Sequence, residues 1–110
     1  MKRTFGEYIR ELRKTANLTQ TQLGALISIE AGNLSKIECG KRLFDENKLE
    51  KLAAAVNVDT QILKEEFFSD KMAQVAIRYK IPNSVFTKAE EKVILVYVHF
   101  SHSIQSETSC

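Results

Sequence analysis

Residues 18–42 read Leu18-Thr-Gln-Thr-Gln-Leu-Gly-Ala-Leu-Ile-Ser-Ile-Glu-Ala-Gly-Asn-Leu-Ser-Lys-Ile-Glu-Cys-Gly-Lys-Arg42, and two short amphipathic patterns meet in this stretch. Thr19 is followed three residues later by Gln22, the pairing in which each side chain satisfies a backbone N–H of the other at a helix start. Leu23, Leu26 and Ile27 then recur at helical spacing, which predicts a helix over about 20–27 with these three facing inward. Ser28 and Ile29 interrupt the pattern. Leu34 and Ile37 restart it on a new phase that ends at Gly40, a residue suited to the left-handed C-terminal cap. Two short helices joined by a tight turn are expected.

Working outward, Phe5, Tyr8, Ile9 and Leu12 recur at helical spacing between Thr4, available as a cap, and Asn17, a plausible stop; they predict a first helix over roughly 4–16. After a polar connection through Arg42, Asp45 and Asn47, residues Leu49, Leu52, Ala53 and Val56 mark a fourth helix. Asn57 to Asp59 turn the chain, and Ile62, Leu63, Phe67 and Phe68 mark a fifth. The expected architecture is all-α: a five-helix unit over 1–68, joined by short connections, with a short helical extension over 69–100 and a polar tail over 101–110 that frays. Met72, Val75, Ala76 and Tyr79 suggest a further helix or a continuation of the fifth, stopping before Pro82, the single proline. Thr87-Lys88-Ala89-Glu90 repeats the capping pattern and starts a last helix. Its continuation, Val93 to Val98, is rich enough in β-branched residues for a strand to compete.

Composition sets bounds on function. The chain has 110 residues, 44% of them hydrophobic and 27% charged, a globular balance that fits one compact core. The longest apolar stretch, Val93 to Phe100, is far shorter than the ~20 residues a membrane span needs. The basic N-terminus runs at once into Glu7, Arg10 and Glu11, where a secretory signal places an apolar run. A cytoplasmic location is therefore expected, with Cys39 and Cys110 as reduced thiols to which no task is assigned. A net charge of +2 argues for no polyanion by itself, but Arg10, Arg13, Lys14, Lys36, Lys41 and Arg42 concentrate in the first half, giving a local basic face.

The paired motifs Leu18-Thr-Gln-Thr-Gln-Leu23 and Leu34-Ser-Lys-Ile-Glu-Cys-Gly-Lys-Arg42 resemble, at this separation, the Cro and lambda-repressor type (XRE-like) helix-turn-helix regulators, over about residues 5–66. The resemblance implies that the second helix of the pair enters the major groove of double-stranded DNA, where each base pair shows a distinct donor and acceptor pattern. Ala31, Gly32, Asn33 and Lys36 then fall on the groove face, while Leu34 and Ile37 point inward. Asn33 can offer a bidentate amide to adenine, and Lys36 can donate to guanine or to a phosphate. Outside such a motif both would be ordinary solvated surface.

By the same resemblance Gln20, at a helix start that favours phosphate, clamps the DNA backbone and braces the recognition helix, and Lys41 and Arg42 are phosphate contacts, which orient without reading sequence. Arg13 and Glu38 match positions that form a partly buried ion pair in related proteins, so their role is structural. With them, Ile9, Leu12, Leu23, Leu26, Leu34, Ile37, Leu49 and Leu52 are taken as core. Three departures stand out. Ser28 occupies the turn position where a left-handed glycine is usual, implying a slightly different turn. Glu30 stands where a better cap is usual. Gly32 lies inside the recognition helix, either for close approach to DNA or as tolerated drift.

Such regulators act as dimers on half-sites about one helical turn, roughly 34 Å, apart. The apolar residues Phe67, Phe68, Met72 and Val75 are candidates for the dimer interface, or for covering the core. The closer likeness of Phe5 to Arg13, Asn33 to Arg42 and Ala89 to Lys92 is to small regulators encoded beside DNA methyltransferases, which suggests control of a restriction-modification operon. The alternative is an antitoxin-type module that binds a toxin and regulates its own operon. No enzyme, cofactor or small-molecule substrate is expected: the chain has no glycine-rich phosphate loop and no nucleophile motif, and the His99-x-x-His102 pair has no carboxylate or CxxC beside it.

Overall fold

Thr4 stands in extended backbone and its hydroxyl accepts the Glu7 N–H, opening α1 over Phe5–Thr15. In this computed structural model the backbone is described for residues 3–109 and the side chains for 3–99; among the described residues every regular element is helical. At the end of α1, Asn17 takes a positive φ of 57°, and the Asn17 and Leu18 N–H groups return to the carbonyls of Lys14 and Arg13, which satisfies acceptors the helix leaves open. The Thr19–Gln22 capping box then starts α2, Gln20–Ile27, with both of its hydrogen bonds formed. After α3 (Ala31–Glu38) a 3-10 turn at Glu46–Lys48 leads into α4 (Leu49–Val56), which a left-handed Asn57 closes. α5 spans Thr60–Tyr79 and α6 spans Ser84–Ser109.

The chain divides into two units between Ala73 and Gln74, within α5. In the first, Ile9, Leu23, Ile27, Leu34, Leu52 and Leu63 are sealed from solvent at the centre. Leu12 packs partly buried against them. Leu26, expected in the core, is 55% exposed: α2 buries the narrow face of Leu23, Gly24 and Ile27, and Leu26 lies roughly 100° around the helix from its centre.

Beside this centre lies an aromatic group. Phe5 meets Phe44 and Phe67 edge-on, with centroids 5.4 and 5.2 Å apart. Phe67 is only 8% exposed, so its assignment to a dimer interface is corrected: it is spent on the core. Phe68, Met72 and Val75 remain exposed. Phe44 is a core residue in the connection expected to be polar.

Gly6 is the point where α1 meets the end of α3. A methyl group there would collide with the carbonyl oxygen of Ile37, and backbone cannot swing aside as a side chain can. Gly6→Ala is therefore expected to lower stability by about 2 kcal/mol or more, because the overpacking against backbone lies at the upper end of its usual range of about 1–3 kcal/mol and the gain in helix propensity of about 1 kcal/mol offsets only part of it. Urea denaturation checks this through a lower midpoint at unchanged slope.

In the second unit α5 completes its course as one continuous helix. Lys80 then adopts a φ of 52°, and the Ile81 N–H returns to the Ala76 carbonyl. α6 begins at Ser84, earlier than the expected cap at Thr87, because the turn after Pro82 is already helical: Val85 and Phe86 donate to the carbonyls of Pro82 and Asn83. Val93 to Val98 are helical and exposed. A strand would need a neighbour to pair its backbone groups, whereas a helix pairs them internally. The helical backbone runs through the segment expected as a frayed tail, as far as Ser109. No helix among the described residues is long and apolar enough to cross a membrane.

Candidate nucleic-acid interface

The turn between α2 and α3 carries Ser28 in the left-handed region, at φ 60° and ψ 45°. The expectation of a different turn is thereby corrected: serine adopts the conformation a glycine would. Its steric cost, about 1–2 kcal/mol, is offset locally. The Ile29 N–H returns to the Gly24 carbonyl at 2.9 Å, Ile29 packs against the core, and Lys48 Nζ donates to the Ser28 carbonyl at 2.6 Å, with Lys51 Nζ 3.5 Å from the Ser28 hydroxyl. Sequence reasoning missed both lysines. Their 48/51 spacing puts them on one face of the chain entering α4, but nothing in it says that this face meets the turn.

One buried carboxylate joins the three helices that build the interface. Glu38, at the last turn of α3, has a side chain only 2% exposed. It accepts from Arg13 Nε at 2.8 Å and Nη2 at 3.0 Å, in fork geometry from α1, and from Gln20 Nε2 of α2 at 3.2 Å. Arg13 spends Nη1 on the Leu18 carbonyl, 2.9 Å away, just ahead of the cap of α2. The hydrogen bond to Glu38, with its charge, raises the Arg13 pKa above its ordinary value against the opposing effect of burial. The structure thus brings Arg13, Gln20 and Glu38 together, with the Gln20 side chain hydrogen-bonded to the last turn of α3.

The α3 surface follows the expected division. Leu34 and Ile37 are buried, Gly32 and Lys36 are exposed one turn apart, and Ala31 and Asn33 are half-exposed. A Cβ added at Gly32 would meet no atom within 4 Å, so no packing contact requires glycine there. Glu30 precedes α3 without a side-chain cap bond, the weak cap its type implies.

At the other end Gly40 takes a φ of 79°, and the Gly40 and Lys41 N–H groups return to Ile37 and Lys36 at 3.1 and 2.8 Å. This paired closure reverses the chain. It leaves Lys41 and Arg42 exposed and carries Arg42 back over α3, where its Nη1 donates to Asn33 Oδ1 at 3.2 Å. That contact between an expected base reader and an expected phosphate contact was not foreseen. His102 and Cys110 lie outside the residues whose side chains are described; Cys39 is a free, exposed thiol.

Residues 4–67 match a family model described as a helix-turn-helix domain. Among solved structures the chain is similar to the restriction-modification controller protein C.AhdI from Aeromonas hydrophila, at 30% identity and a TM-score of 0.50, over 54% of this chain and 86% of that one. It is also similar to the P22 c2 repressor protein in complex with a synthetic operator (24% identity, TM-score 0.51, 56% and 94% of the two chains). A SinR protein/SinI protein complex matches over 91% of this chain and 99% of the other, at 20% identity and a TM-score of 0.50. At their identities the latter two bear on the fold alone. No curated protein matches by sequence.

Proposed function

We propose that this chain, which belongs to the helix-turn-helix domain family in its lambda-repressor-like form, is a sequence-specific regulator of transcription that binds double-stranded DNA as a homodimer on a palindromic operator, without catalysis. The observation that carries this reading is the arrangement around α3. Its apolar side is locked into the core and its last turn is tied by Glu38 to α1 and α2, while Gly32, Asn33 and Lys36 face outward with Lys41 and Arg42 exposed just beyond. A helix so held presents a rigid polar edge of a width the major groove admits. Gln20 at the start of α2 and the two cations after Gly40 would grip phosphates on either side of it.

The exposed Phe68 and Met72 on α5, followed by Val75, support a self-association surface. Likeness at 30% identity to a restriction-modification controller protein supports control of such an operon.

The test is a titration with the DNA upstream of the chain's own gene at two salt concentrations, beside Lys36→Ala and Lys41→Ala. Specific binding should weaken steeply with salt. Lys41→Ala should weaken binding on every sequence and reduce the salt slope by about one, whereas Lys36→Ala should cost about 1–3 kcal/mol and relax preference at one base pair. Absence of both specific binding and a salt-dependent background would make the motif a scaffold and overturn the reading.

A further inference from the structure

Arg42 and Asn33 are nine residues apart and meet only because the closure at Gly40 folds the chain back over α3. A guanidinium has five N–H donors and no acceptor. The atom of Asn33 that faces Arg42 Nη1 at 3.2 Å is therefore the amide oxygen, Oδ1. With one of its two lone pairs engaged and a fixed positive charge beside it, Oδ1 is a weakened acceptor, while both N–H donors of Asn33 remain free for a ligand. Bidentate recognition of adenine needs the opposite freedom, an Oδ1 that accepts from the N6 amino group while the amide nitrogen donates to N7. The fixed charge of Arg42 beside that oxygen also disfavours the approach of an amino group.

We propose that Arg42 works together with Asn33 in base recognition: it orients the Asn33 amide so that the pair turns mainly donors to the groove and reads guanine in place of the adenine expected of asparagine alone. Guanine shows two acceptors, O6 and N7, to the major groove, matching the amide nitrogen and the remaining guanidinium donors. Nε and Nη2 of Arg42 can hold a neighbouring phosphate, so the base contact and the backbone contact share one side chain. This inference rests on the DNA-binding reading above and deepens it by naming the base class that the α3 surface selects.

The experiment is selection of bound duplexes from a pool of randomised double-stranded DNA by the full chain and by its Asn33→Ala, Arg42→Ala and Arg42→Lys variants, followed by affinities on the recovered sequences. Both positions are solvent-accessible, and circular dichroism melts will show whether the variants keep the fold. The wild type is expected to select guanine at one position per half-site, and Asn33→Ala to lose that selection. Arg42→Ala lowers affinity generally and shifts the same position toward adenine, changing the guanine-to-adenine ratio by roughly tenfold. Arg42→Lys, also a donor without acceptors, retains guanine.

Selection of adenine by the wild type at the Asn33-dependent position overturns the proposal. So does an Arg42→Ala variant that binds every sequence more weakly while leaving that position unchanged. If the wild type selects nothing, the DNA-binding reading fails with it, a result distinct from either.

Discussion

Replacing Glu38 by alanine is expected to lower the stability of the first unit by about 3–5 kcal/mol, the cost of leaving a buried charge without its partner. The Arg13 side chain is 11% exposed and would keep its charge, losing the fork from Nε and Nη2. Gln20 would lose its acceptor at the same time, so the loss reaches all three helices of the interface. The pair as such need not be strongly stabilising, because desolvation opposes its attraction. Joint replacement by apolar residues of similar size, Arg13→Met with Glu38→Leu, should therefore recover much of the loss in urea denaturation. It should not recover tight DNA binding, since Gln20 would remain unbraced. Because the Arg13 pKa is raised in the fold, the associated stability is present below the unfolded arginine pKa and is lost only as pH rises through the folded one. No alkaline transition from Arg13 is expected in the working range.

The second large effect is expected at Phe44. Truncation to alanine should cost about 3–5 kcal/mol, the range for a buried phenylalanine whose cavity cannot fully close. The ring is 6% exposed and meets Phe5 and Phe67 at steep angles, with centroids 5.4 and 6.4 Å away, so three elements lose contacts together. Phe44→Leu should cost distinctly less by retaining part of the volume. Calorimetry distinguishes the two through the size of the melting-temperature shift. Phe44 also anchors the connection two residues beyond Arg42, so its truncation should weaken DNA binding even at temperatures where the fold persists.

Phe44 shows where sequence reasoning stopped. It has no apolar neighbour at helical spacing in the connection, and its burial depends on Phe5 and Phe67, brought to it by α1 and α5. Leu26 is the converse, an apolar residue at an acceptable spacing left outside because α2 is eight residues long and uses one narrow face. Ser28 was legible as the turn residue; its left-handed backbone and the contacts from Lys48 and Lys51 were not. The Arg13–Glu38 pair was legible through family resemblance, and the structure added Gln20 as its third member.

By itself the sequence determined several helix starts and ends in the first unit: the cap at Thr4, the reciprocal Thr19–Gln22 bonds, the stops at Asn17 and Asn57, and the left-handed closure at Gly40. These depend on hydrogen bonds that span five residues or fewer, so the residues that dictate them are adjacent in the chain. Tertiary structure alone decided that Gly6 lies under the Ile37 carbonyl, that Phe67 packs inward rather than toward a partner, and that Arg42 takes the oxygen of Asn33. Each depends on the angle at which one helix crosses another or on the direction in which a closed helix end sends the chain. That geometry is set by the packing of the whole core, and no local pattern of residue types encodes it.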